Sequence, residues 1–205
     1  MNIVGFLFSF GLLILAMSVH EFSHGWVAYK LGDNTARYSG RLTLNPLAHI
    51  DPIWTVLIPL TLFLTSGGRF IFGAAKPVPI NYWALKNPKR DMLWIGLSGP
   101  LANFIFAFLL SILRRVIPAP LIVSYLLGNL ILINIVLGVF NLIPIPPLDG
   151  SRILAGLLPE PLASRYAAIE PMGFIIIIIF LATGMFDFIV WPLVRIIAGF
   201  MGVSF

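Results

Sequence analysis

The sequence predicts an all-α polytopic membrane protein, a bundle of about four to six transmembrane helices with short membrane-associated β-hairpin or re-entrant segments. Three observations predict it. Of the 205 residues, 59% are hydrophobic and 10% charged, against about 25% charged in an ordinary soluble domain. The apolar residues gather in runs long enough to cross a hydrocarbon core of about 30 Å. The 13 Lys and Arg, set against 8 Asp and Glu, fall between those runs, where the cytoplasmic loops of membrane proteins collect positive charge. That placement speaks against nucleic-acid binding in spite of a net charge of +5. The chain has no Cys, so any metal must be held by His and carboxylates.

The elements follow in order. The first apolar run, Ile3 to about Leu31, holds His20, Glu21 and His24 and ends in the turn formers Gly32-Asp33-Asn34. Its Phe6 to Val19 portion imitates a signal-peptide core, but no basic residue precedes it, and it is read as a span. Thr35 to Pro52 alternates in character, as in Arg41-Leu42-Thr43-Leu44, and reads as a short strand or hairpin at the membrane surface. Ile53 to Thr65 is apolar but contains Pro59 and is short for a crossing. Gly67 to Asp91 is mixed, with an extended-looking Lys76-Pro77-Val78-Pro79. Met92 to Leu113 and Leu121 to Leu142 read as spans, the second running into Pro144 to Pro147. Ser151 to Leu158 reads as a short helix, Pro171 to Phe186 as a further span, and Val190 to Val203 as a last apolar segment. The whole, 1–205, is read as one integral-membrane domain, with a catalytic core over about 3–158 and C-terminal helices over about 170–203.

The chemistry concentrates in His20-Glu21-Phe22-Ser23-His24. On a helix the two imidazoles stand one turn apart and can grip one zinc ion, with Glu21 beside them as a candidate base for a metal-activated water. The structural alternative is three polar groups satisfied inside a helix bundle. Ionisable residues inside a span cost several kcal/mol each, which favours the metal reading. A third ligand is required, and the candidates are His49, Asp51, Asp149, Glu170 and Asp187. Spacing alone does not choose among them. Asp149 is the best physical candidate, because it follows a span through a Pro-rich break, and irregular backbone at membrane depth is tolerated only where protein or a water-filled cavity surrounds it.

These residues, with Gly99-Pro100-Leu101-Ala102-Asn103 and Asn141-Leu142-Ile143-Pro144-Ile145-Pro146-Pro147-Leu148-Asp149-Gly150 in the same order, resemble the site-2 proteases, a family of intramembrane zinc metalloproteases, in its compact form. The resemblance spans roughly Ile3 to Leu158. It implies His20, His24 and Asp149 as ligands of one zinc, Glu21 as catalytic base, and Asn103 and Asn141 lining the site as substrate-binding residues. For both asparagines the structural alternative is interhelical hydrogen bonding, worth about 0.6 kcal/mol on average. The block Gly40 to Asp51 also resembles the family and is a candidate substrate-pairing strand, with His49 read as structural. Lys76-Pro77-Val78-Pro79-Ile80-Asn81 resembles a family segment for which no chemical role is read.

Topology supplies a consistency test. If His24 and Asp149 share one metal, the end of the first span and the end of the Leu121 span lie at similar depth. With the N-terminus outside, all basic residues except Arg114, Arg115 and Arg195 then fall on the cytoplasmic side. Parity requires Ile53 to Thr65 to be re-entrant or paired with a crossing near Phe70 to Ala75. The expected function is intramembrane endoproteolysis of membrane proteins with a transmembrane helix, in the cell membrane, with the active site towards the cytoplasm. The alternatives are a metal-ion transporter or sensor using the same polar residues, and an inactive helix-binding scaffold.

Overall fold

A computed structural model describes residues 3–68 and 73–203. Helix α1, Ile3–Lys30, runs for 28 residues, about 42 Å at 1.5 Å per residue. In lipid such a segment must satisfy its own backbone, and a helix does so residue by residue. Gly32, at φ 112°, stops it, and the Asp33 N–H closes back on the Ala28 carbonyl at 2.9 Å in the manner of a glycine C-cap.

The next segment departs from the sequence reading. Thr35 to Pro52 forms no strand or hairpin, and no strand occurs among the described residues. Helix α2, Thr35–Tyr38, is a single turn started by Asp33, whose Oδ1 accepts from the Thr35 N–H at 2.9 Å. Pro46–His49 is a 3-10 turn capped by Asn45. The alternating stretch from Arg41 to Leu44 lacks a ladder partner because its groups are otherwise engaged. The Arg41 N–H donates to Ala36 O at 2.8 Å, and Thr43 O meets His49 Nε2 at 2.8 Å. The neighbouring segment from Lys76 to Ile80 contains Pro77 and Pro79, which have no N–H to give.

Asp51 then starts a helical excursion. Its Oδ1 accepts from the N–H groups of Ile53 and Trp54, both at 2.9 Å, opening a wide turn over Pro52–Leu57 that continues as α3, Ile58–Thr65. At 1.5 Å per residue these residues rise only about 20 Å, too little to cross. Phe63 of α3 stacks on Phe6 of α1 at 4.4 Å, so the excursion runs towards the N-terminal end of α1. The chain then comes back: Ala74 N–H bonds Trp54 O at 3.1 Å and Thr55 Oγ1 bonds Ala74 O at 2.7 Å. The excursion therefore ends where it began. Of the expected second crossing near Phe70 to Ala75, 70–72 lie outside the described residues, and Gly73 to Ala75 form no helix.

Helix α4, Pro88–Val116, carries Pro100 in its interior, which removes one backbone hydrogen bond of the helix. Helix α5, Leu121–Asn141, packs on α4, with Gly138 facing the Phe104 ring. After the Pro-rich loop, α6, Asp149–Leu157, lies back against α4. Gly150 makes that return possible, because a Cβ there would collide with the carbonyl oxygens of Leu142 and Ile143. Tyr166, on α7, Leu162–Ala167, holds the loop through its hydroxyl to Pro144 O at 2.8 Å. Helix α8, Gly173–Ala182, and α9, Trp191–Phe200, complete the chain. Val194 and Ala198 of α9 join Ile131, Ile135 and Ala107 in the main apolar core.

Four helical stretches among the described residues are long and apolar enough to cross a membrane: Ile3–Lys30, Pro88–Val116, Leu121–Asn141 and Leu162–Ala182. Even in the most enclosed of them only 44% of the apolar window is buried by protein, which leaves much apolar surface for lipid to cover. The protein is an integral membrane protein.

Candidate metal centre

His20 and His24 lie in the C-terminal half of α1, one helical turn apart, with rings nearly perpendicular at 88° and centroids 4.6 Å apart. Asp149, the first residue of α6, comes to meet them. His20 Nε2 lies 3.0 Å from His24 Nε2 and 2.9 Å from Asp149 Oδ2, and His24 Nε2 lies 3.1 Å from that same oxygen. All three residues are buried, and they are the one group of potential metal ligands brought together among the described residues.

The hydrogen bonds around the imidazoles decide which atoms these are. His24 Nδ1 faces the Ile95 carbonyl at 2.7 Å, which can only accept, so Nδ1 carries a proton and, in the neutral ring, Nε2 the lone pair. His20 Nδ1 faces Asn103 Oδ1 at 2.7 Å. The Asn103 amide nitrogen donates to Ala16 O at 3.1 Å and to Asn134 Oδ1 at 2.8 Å, so its oxygen accepts from His20 Nδ1. With the imidazoles neutral, as metal ligands must be, both Nε2 lone pairs and a carboxylate oxygen converge on one point. Unscreened, three such donors repel one another. A cation removes the conflict, and zinc with bonds of about 2.0 to 2.2 Å needs ligand atoms about 3.3 Å apart, close to the triangle found here. The donor set fits zinc.

Gly99 of α4 makes room for the ring pair. A Cβ at this position would lie 2.5 Å from His24 Nε2 and 2.6 Å from the Cε1 atoms of both histidines. Gly99→Ala is expected to weaken zinc binding by about 10- to 100-fold, measured by chelator competition on the purified protein. Unchanged affinity would show that the rings can yield at no cost.

The other candidates fall elsewhere. His49 is bonded to Thr43 O, Asp51 caps the turn at Pro52, and neither joins the ligand group, nor do Glu170 and Asp187. Glu21 is half-buried and its Oε2 accepts from the Val78 N–H at 2.8 Å. Asn103 is fully buried, with its oxygen and both amide protons engaged. Asn141 is half-buried at the end of α5 and gives one amide proton to Leu137 O, in its own helix, at 2.9 Å. Two further groups belong to this neighbourhood. Asn134, fully buried, supports Asn103, and Arg152 Nη1 stands 3.5 Å from Asp149 Oδ1. Asn134 carries the signal that singled out Asn103, a lone amide inside a span, whereas the place of Val78 beside Glu21 is invisible to spacing.

A polytopic helical bundle that brings a His-Glu-x-x-His helix and a distant aspartate to one buried point defines a membrane-embedded metallopeptidase. Comparison with known proteins gives the particular kind. The model of Peptidase family M50 matches residues 117–182. The chain is 36% identical over 192 residues to "Putative zinc metalloprotease YwhC" of Bacillus subtilis, covering 89% of this chain and 84% of the relative. It is 30% identical over 193 residues to "Putative zinc metalloprotease Rip2" of Mycolicibacterium smegmatis, covering 93% and 73%. It is 32% identical over 151 residues to "Zinc metalloprotease MJ0392" of Methanocaldococcus jannaschii, covering 74% and 34%. No solved structure matches. The chain belongs to peptidase family M50, the site-2 protease family of zinc metalloproteases.

Proposed function

We propose that this protein is an intramembrane endopeptidase that holds one zinc ion per chain on His20, His24 and Asp149 and cuts the transmembrane segments of other membrane proteins. One observation carries the reading: two imidazole Nε2 atoms and a carboxylate oxygen meet within about 3 Å, with both Nδ1 atoms turned to oxygen acceptors.

Bound zinc would polarise the scissile carbonyl and acidify the attacking water. Glu21 is the general base. Its carboxylate takes the proton of the attacking water and delivers it to the departing amide nitrogen, so that one group serves both halves of the hydrolysis. Asn103 acts through His20, holding the tautomer and the ring plane, and Asn134 fixes the orientation of the Asn103 amide. Asn141, one loop before Asp149, is the side chain we assign to substrate backbone. A helical substrate spends its peptide groups on itself, so the bond to be cut must first be unwound and offered polar partners.

Depth and orientation follow from charge. With α1 entering from outside, Lys30, Arg37 and Lys86 to Arg90 lie in the cytoplasm with the site just below that surface. The apolar excursion over Pro52–Thr65 is then re-entrant from the cytoplasmic side.

The test is reconstitution of the purified protein into vesicles with single-span substrates, with and without a zinc chelator, and mass mapping of the cut. Cleavage within or at the edge of the span is expected, lost with the chelator and regained with added zinc. Cleavage indifferent to zinc removal, or zinc movement across the vesicle without cleavage, would overturn the reading.

A further inference from the structure

The extended segment from Lys76 to Asn81 is used by no step above, yet it is built against the site. Val78 stands between Pro77 and Pro79, so its N–H is the only backbone donor between those of Lys76 and Ile80. That donor is spent on Glu21 Oε2 at 2.8 Å. Val78 itself is buried and packs on α1 at Gly25, where a Cβ would come within 3.2 Å of its Cγ1. Glu21 and Gly25 are one turn apart on the same helix face. The segment thus crosses α1 on the face beside the one that carries His20 and His24.

The segment is held from both ends. Arg41, only 8% exposed, gives its Nη2 to the carbonyls of Lys76 and Pro77. The Lys76 N–H donates to His49 O at 2.9 Å, and the Asn81 N–H to Asp33 Oδ2 at 2.6 Å. Two prolines fix φ along the stretch. The result is a strap anchored at both ends, whose one donor between Lys76 and Ile80 is aimed at one carboxylate oxygen.

We propose that Val78 and Arg41 are positioning residues for the general base: the strap pins Glu21 Oε2 through the Val78 amide, leaving Oε1 to exchange protons with water and leaving group. A glutamate has three side-chain torsions, and a base free to rotate spends little time within reach of its proton. Arg41 never touches the carboxylate and acts by fixing the backbone that does. This inference rests on Glu21 being the base.

The experiment uses the full chain in detergent or vesicles. In hydrogen–deuterium exchange, the Val78 amide is expected to exchange at least about tenfold faster in Glu21→Ala and in Arg41→Met than in the parent. In cleavage assays, Arg41→Met and Val78→Pro are expected to lose about tenfold in kcat with KM changed less than about twofold and zinc content intact. Arg41→Lys, which can still donate to the two carbonyls, recovers most of the loss. Unchanged Val78 exchange in Glu21→Ala overturns the proposal, even if Val78→Pro fails to fold. A rise in KM at constant kcat overturns it too, assigning the strap to substrate binding, and loss of zinc in Arg41→Met reduces Arg41 to a structural residue. Glu21→Gln separates the two levels. If it is inactive while Arg41→Met is fully active, only the positioning role falls; if it cleaves like the parent, the general base and this inference fall together.

Discussion

Glu21→Gln is expected to lower the rate of peptide cleavage by about 10³-fold while the protein keeps its zinc. The substitution changes almost nothing but basicity. The amide has the size of the carboxylate, its oxygen can still accept the Val78 N–H, and the ligand atoms of His20, His24 and Asp149 are untouched. What it cannot do is take a proton from water, and a positioned base is worth about 10² to 10⁴ in rate. Zinc analysis and cleavage of a single-span substrate, measured on one preparation, check both halves. Zinc loss would place Glu21 in the coordination sphere, and parent-like cleavage would remove the enzymatic role given to it.

Asp149→Ala is expected to weaken zinc binding by more than about 100-fold and to abolish cleavage. Partners that only orient ligands cost about 10- to 100-fold when removed, and Asp149 supplies a ligand atom and the negative charge of the set. Two neutral imidazoles remain, with Arg152, 3.5 Å from the lost carboxylate, now adding an unopposed positive charge nearby. Zinc affinity by chelator competition, in the parent and the variant, gives the measure. An affinity within a few-fold of the parent would show that Asp149 does not bind the metal.

Much of this was legible along the chain. Hydropathy placed α1, α4 and α5, since a span must be a long apolar helix whatever surrounds it. It also marked Ile53 to Thr65 as short for a crossing. The strand expected between Thr35 and Pro52 did not form. Alternation of side chains is a statement about a ladder partner, and the neighbouring segment from Lys76 to Ile80 is interrupted by Pro77 and Pro79. His20, Glu21 and His24 could be paired because helix geometry alone puts one turn between i and i+4.

What the sequence by itself determined, then, were properties set by neighbours within a turn or by the solvent: the spans α1, α4 and α5, the paired histidines, the Pro-rich break before Asp149. What only the tertiary structure decided was the meeting of groups far apart in the chain. Asp149 lies 125 residues from His24, Asn103 lies 83 from His20, and Val78 lies 57 from Glu21. The physical reason is that a lone polar group in a span announces only that it needs a partner. Which partner it finds depends on how α1, α4 and α5 rotate against one another, and packing, not spacing, settles that rotation.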